Sequence, residues 1–131
     1  MIKTYILGTG FLSSNIERKI NNSEVLSASD FLKKINLINF RKKKINLIIN
    51  SFYSSRKLNT VYSFKEFINK SIYEVSEILD KINPFLIQKI IYTSSSAVYG
   101  SIISKIKIDD QNNRYLYSSF KLAAETMLKN Y

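Results

Sequence analysis

The chain contains no cysteine and no histidine. That absence removes disulfide frameworks, thiolate nucleophiles, zinc sites built on imidazole or thiolate, haem ligation, and every Ser-His-Asp or Cys-His mechanism. Any proton transfer must fall to Tyr, Lys, Ser, Asp or Glu, and no metal site is expected. No apolar stretch reaches the roughly 18 residues that a membrane span requires. The apolar start, Met1 to Leu12, runs into Asn15, Glu17, Arg18 and Lys19 without a small-residue cleavage pattern. No membrane partner is therefore expected, and the cytoplasm is the default location. Neither an internal repeat nor a Gly/Ser/Pro-rich linker divides the 131 residues, so one domain over 1–131 is expected. Apolar content of 45% is enough to build its core.

Charge of one sign is scarce: 10 Asp and Glu stand against 20 Lys and Arg, a formal net charge of +10. Such an excess suits an anionic partner. Here it is scattered, mostly Lys, and accompanied by a surplus of Ile and Asn, the pattern of a whole-chain compositional bias. The one dense cluster, Arg41 to Lys44, reads as a solvated helix end or as an anion-binding patch. No aromatic-spaced basic stripe accompanies it, and nucleic acid is not an expected partner.

Apolar periodicity alternates between short β-like runs and longer helical stretches. Ile2 to Leu7 is rich in β-branched and aromatic residues and ends at Gly8-Thr9-Gly10, after which Phe11, Leu12, Ile16 and Ile20 recur at helical spacing. Glu24 to Ala28 forms a second strand, with Ser29-Asp30 where a helix cap would stand before Phe31, Leu32, Ile35 and Ile38. Ile45 to Asn50 has the near-continuous Ile/Leu character of a parallel strand covered on both faces. A long amphipathic helix is expected from Tyr62 to Ile82, stopped by Asn83-Pro84, followed by a strand at Gln88 to Thr93 and a last helix at Leu116 to Asn130. Strand-helix alternation of this kind predicts an α/β fold, a Rossmann-type open parallel sheet with helices on both faces. Ligands of such sheets sit at the carboxyl ends of the strands, here Leu7–Ser14, Asn50–Ser54 and Thr93–Gly100.

Gly8-Thr9-Gly10-Phe11-Leu12-Ser13 comes directly after a predicted strand and opens a helix. It is close to the G-x-G-x-x-G dinucleotide fingerprint, with Ser13 in place of the last glycine. Gly8 and Gly10 permit a tight turn and close backbone approach to a pyrophosphate; Phe11 and Leu12 begin the helix whose free N–H groups would face it. An acidic residue about 20 positions on would hold the ribose hydroxyls of NAD, and Asp30 lies near that point. Ser29 competes for the slot and would favour NADP, with Lys33 and Lys34 as partners for the extra phosphate. Later in the chain, Tyr117 and Lys121 are four apart and share a helix face. An ammonium beside a phenol favours phenolate, giving a general acid/base near neutral pH without histidine.

The segment Ile90-Ile91-Tyr92-Thr93-Ser94-Ser95-Ser96-Ala97-Val98-Tyr99-Gly100, followed by Tyr117-Ser118-Ser119-Phe120-Lys121-Leu122-Ala123-Ala124-Glu125, closely resembles the extended short-chain dehydrogenase/reductase family. These are the NAD(P)-dependent epimerases, dehydratases and reductases of nucleotide-sugars. The resemblance implies that Ser95 orients the substrate oxygen, Tyr117 shuttles the proton, and Lys121 tunes Tyr117 and bonds the nicotinamide ribose. Asn46-Leu47-Ile48-Ile49-Asn50 is similar to the family's third cofactor-contacting strand end, which assigns Asn50 and Ser51 to the dinucleotide, NAD or NADP.

At three places near the expected cofactor the chain departs from the family's small residues: Ser13, Phe52 with Tyr53 behind it, and Phe120. Family members also continue past the catalytic helix into a region that binds the nucleotide-sugar. On that comparison this chain is expected to be an amino-terminal, truncated portion whose last strand is an open sheet edge, with a homodimer left open. A nucleotide-sugar would then be converted only if a substrate-binding half is supplied. The alternative is an inactive remnant or binding partner that keeps the cofactor fold.

Overall fold

A computed structural model describes residues 1–50, 52, 64–95, 98 and 116–131, with the side chains of 64, 116 and 117 excepted. Ser51, Tyr53, Ser96, Ala97, Tyr99, Gly100 and the polar loop at Asp109–Arg114 lie outside the described residues, as does the Tyr117 side chain.

The elements follow the expected alternation: β1 (Lys3–Leu7), α1 (Phe11–Glu17), β2 (Ser23–Leu26), α2 (Ala28–Arg41), β3 (Ile45–Ile49), α3 (Phe64–Ile68), α4 (Glu74–Lys81), β4 (Ile87–Tyr92) and α5 (Leu116–Lys129). The four strands form one parallel sheet in the order β2-β1-β3-β4. The chain thus leaves β1 toward one side, then returns across it to build the other. That reversal between β1 and β3 is the topological switch point at which open α/β sheets bind ligands.

Strand alternation sorts the core. Tyr5, Leu7, Ile45, Leu47 and Ile49 pack against Phe31, Ile35 and Ile38 of α2 and Val75, Ile78 and Leu79 of α4. Ile6 and Ile48 point the other way and are equally buried, as a strand covered on both faces requires. Tyr5 meets Phe31 with ring centroids 5.3 Å apart and planes tilted at 59°. Burying Phe31 completely contributes about 2–3 kcal/mol from its apolar area.

The N-cap of α2 stands two residues before the expected Ser29. Ser27 is the N-cap: its hydroxyl accepts from the Asp30 N–H at 3.1 Å and donates to the Asp30 carboxylate at 2.7 Å. A short hydroxyl side chain directly after the strand satisfies the first-turn donors sooner than Ser29 could. The helix stops at Lys42 in the left-handed conformation, φ 51°. Arg41 to Lys44 is accordingly an exposed helix end.

The long helix expected to end at Ile82 is interrupted. Between α3 and α4, Asn69–Tyr73 forms a single π-helical segment, which turns Lys70 and Ser71 toward a small cleft beside α5. Phe67 of α3 packs edge-on against Phe120 of α5 at 5.1 Å, the use to which the bulky residue before Lys121 is put. Among the described residues, no helix is long and apolar enough to cross a membrane.

Candidate active site at the carboxyl edge

Register aligns the ends of all four strands. Leu7 pairs with Leu26 and with Ile49, and Ile49 pairs with Tyr92. The ladder runs one residue further: Gly8 N–H donates to Leu26 at 2.8 Å, Asn50 N–H to Leu7 at 2.9 Å, and Thr93 N–H to Ile49 at 3.0 Å. Ser27, Gly8, Asn50 and Thr93 therefore form the rim of the sheet.

At the first crossing, Gly8 has φ 106°, a backbone conformation that side chains rarely adopt. Gly10 is the N-cap of α1, and a Cβ placed on it would meet nothing within 4 Å. Gly8 is buried, whereas Thr9 and Gly10 of the turn are exposed, as are Phe11 and Leu12. An open turn of this form, leading into a helix amino terminus, fits the pyrophosphate of a dinucleotide.

Ser13 lies deeper in α1 and is only 1% exposed. Its hydroxyl accepts from Asn50 Nδ2 at 2.6 Å, so the side chain that replaces the third glycine turns toward β3. Asn50 Oδ1 in turn accepts from the Thr93 hydroxyl at 2.9 Å. Asn50 is 5% exposed, its amide joining α1 to the end of β4. Phe52, beyond it, packs against the hydrophobic core and also lines the cleft.

Lys121 on α5 is 5% exposed. Its ammonium donates to the Thr93 carbonyl at 2.8 Å and stands 4.6 Å from the centroid of the Tyr92 ring. Burial pulls its pKa down to about 8, against a smaller upward pull from Glu125. Tyr117 is one helical turn earlier in the same helix. Ser95 is three residues past the end of β4 and half-buried, its carbonyl accepting from Val98 N–H at 3.1 Å. The end of β4 and the α5 helix are thus joined through Thr93 and Lys121.

Asp30 is set apart from this group, in the exposed first turn of α2. Its carboxylate accepts from Ser27 and from Lys33 at 3.1 Å, and these two partners hold its pKa below the usual carboxylate value. Since β2 ends at Leu26, neither Ser29 nor Asp30 is at the strand end; Ser27 is. Lys34 pairs with Glu24 and adds a smaller through-space pull on Asp30.

Thr93, Tyr92 and Ser27 carry no expected role in the sequence reading. The signals were present in part: Thr93 directly precedes the serine run, and Ser27 has the residue type of a cap. What could not be seen was that Ser13, Asn50 and Thr93, distant in sequence, bond to one another.

A family model described as NAD dependent epimerase/dehydratase family matches residues 6–131. The chain belongs to that family, whose members use a nicotinamide dinucleotide. No curated protein matches the chain.

Proposed function

Starting from that membership, we propose that the chain carries the cofactor-binding and catalytic portion of a cytoplasmic NAD(P)-dependent epimerase, dehydratase or reductase of a nucleotide-sugar. The observation that carries this reading is Lys121: a buried ammonium tied to the rim of the sheet, one turn after Tyr117 and near the strand end that bears Ser95. When bound, the dinucleotide supplies a hydride acceptor and donor. Gly8 and Gly10 admit its pyrophosphate at the turn, with Phe11 and Leu12 opening α1 beside it. Asp30 serves the ribose, while Asn50, Ser51 and Lys121 serve the rim toward the nicotinamide end.

Tyr117 exchanges a proton with the sugar hydroxyl as that carbon is oxidised or reduced. Lys121 favours the phenolate form by placing positive charge on the same helix face. Ser95 orients the sugar oxygen toward the phenol. These roles need no imidazole, in agreement with a chain that has none. Phe52 lining the cleft beside Lys121 favours a second reading, a chain that keeps the fold without turnover.

Thermal unfolding with NAD, NADH, NADP and NADPH separates the two. A ligand that binds only the folded state raises the midpoint by mass action. On the proposed function one oxidised and reduced pair stabilises the chain, and the pair identifies the occupant of the Asp30 slot. A cooperatively folded chain whose midpoint none of the four moves would sink the enzyme reading in favour of the second.

A further inference from the structure

Resting on that reading, we infer that Ser13, Asn50 and Thr93 are positioning residues for Lys121: together they form a buried hydrogen-bonded path from α1 across the ends of β3 and β4 to the Lys121 ammonium. The path uses a residue that the dinucleotide fingerprint lacks. A glycine at position 13 would offer Asn50 nothing, whereas the Ser13 hydroxyl accepts its amide at 2.6 Å. The amide oxygen then holds the Thr93 hydroxyl at 2.9 Å, and the Thr93 carbonyl holds Lys121 at 2.8 Å.

Two features make this positioning and not only packing. Thr93 lies one residue past β4, so the ladder fixes its N–H, on Ile49, but does not by itself fix the direction of its carbonyl. The bond from the Thr93 hydroxyl to Asn50 adds a second anchor at that residue. Lys121 also has a long flexible stem, and the Thr93 carbonyl and the Tyr92 ring are fixed points for its charged end. Ser13 and Asn50 are nearly inaccessible to water, so water does not readily replace a lost bond. The glycine turn and Lys121 are thereby held in one frame from opposite ends of the path.

The test follows the Lys121 side-chain nitrogen by NMR in the full, 15N-lysine-labelled chain as pH is raised, the signal being assigned by its loss in Lys121→Met. Among the described side chains, the charged and titratable groups around Lys121 are Glu125 on its own helix, Tyr92 on β4 and Lys70 across the cleft, the last paired with Glu74; Tyr117 is one turn earlier on α5. None of them is altered. Ser13→Ala and Thr93→Val each remove one link, and Thr93→Ser keeps its link.

In Ser13→Ala and Thr93→Val the Thr93 carbonyl is held less firmly against the ammonium, and water does not readily take its place. The midpoint falls further below about 8, by about half a unit, or about a threefold change in the ammonium-to-amine ratio at fixed pH. Thr93→Ser stays with the wild type. Unchanged midpoints in folded Ser13→Ala and Thr93→Val, or an equal displacement in Thr93→Ser, would overturn the proposal. Should Thr93→Val not fold, Ser13→Ala decides alone, since it removes only a hydroxyl from a helix. No dinucleotide is present in the measurement, so failure of dinucleotide binding leaves this outcome standing.

Discussion

The ammonium of Lys121 stands 4.6 Å from the centroid of the Tyr92 ring, on the last residue of β4. A ring face attracts a cation without supplying a countercharge. Lys121 is therefore retained at the rim while burial keeps its pKa near 8, which leaves a substantial cationic fraction at neutral pH and an amine within easy reach. That balance between retention and destabilisation of the charge has a direct thermodynamic consequence.

The folded pKa of Lys121 lies below its ordinary value, so the unfolded chain binds more protons between about 8 and 10.5. Stability is diminished at neutral pH by keeping this cation buried, and the deficit fades as pH rises through that window. Lys121→Met is expected to be more stable than the wild type at pH 7, by an amount on the order of 2–3 kcal/mol. Urea denaturation at neutral pH and near pH 10 checks this. A methionine variant less stable at pH 7, or an advantage that grows with pH, would contradict the assignment.

The two glycines of the turn should separate fold from binding. Gly8→Ala meets a positive φ of 106° and is expected to lower stability by about 1–2 kcal/mol. Gly10→Ala meets open space and, at a helix N-cap, should cost no more than about 1 kcal/mol. The methyl group nevertheless occupies the approach to the turn, so the dinucleotide-induced rise in unfolding midpoint should be lost. A Gly10→Ala chain that keeps the full rise would show that the pyrophosphate does not come close to residue 10.

Ser27→Ala removes the cap of α2 and is expected to cost about 1 kcal/mol, with Ser27→Thr, which keeps the hydroxyl that bonds Asp30, recovering most of it. Chemical denaturation of the three chains measures this. Equal stability for serine and alanine would mean that the hydroxyl is not capping the helix in solution.

Glu24, on β2, is held below its ordinary pKa chiefly by the Lys34 ammonium, with Lys3 adding a weaker contribution. A depressed carboxylate stabilises the fold above its unfolded pKa and loses that contribution as pH falls through the folded one. Glu24→Gln should thus flatten the stability profile of the wild type below about pH 5 and lower neutral-pH stability by less than about 1 kcal/mol. A profile as steep as the wild type in the acid range would assign the effect to other carboxylates.

Local pattern made much of the fold readable. Near-continuous apolar runs marked the strands, and Phe31, Ile35 and Ile38 marked the buried face of α2, because burial imposes these periods on the chain. Two boundaries escaped it. The start of α2 depended on whether Ser27 or Ser29 satisfied the free N–H groups, and both have suitable side chains. The π segment at Asn69–Tyr73 left no mark on the apolar spacing that would separate it from a continuous helix.

By itself the sequence determined the chemistry open to this protein: no imidazole or thiol, a glycine turn after a strand, and a Tyr and a Lys one helical turn apart. It also determined the family, since those elements occur in a recognisable order. Only the tertiary structure decided how they are held. The parallel register brings Gly8, Asn50 and Thr93 onto one rim, although they are far apart along the chain. There, with water excluded, Ser13 meets Asn50 and Lys121 meets Thr93. Hydrogen bonds between residues so distant in sequence follow no local period, because they depend on how the strands are ordered and how deeply the rim is buried.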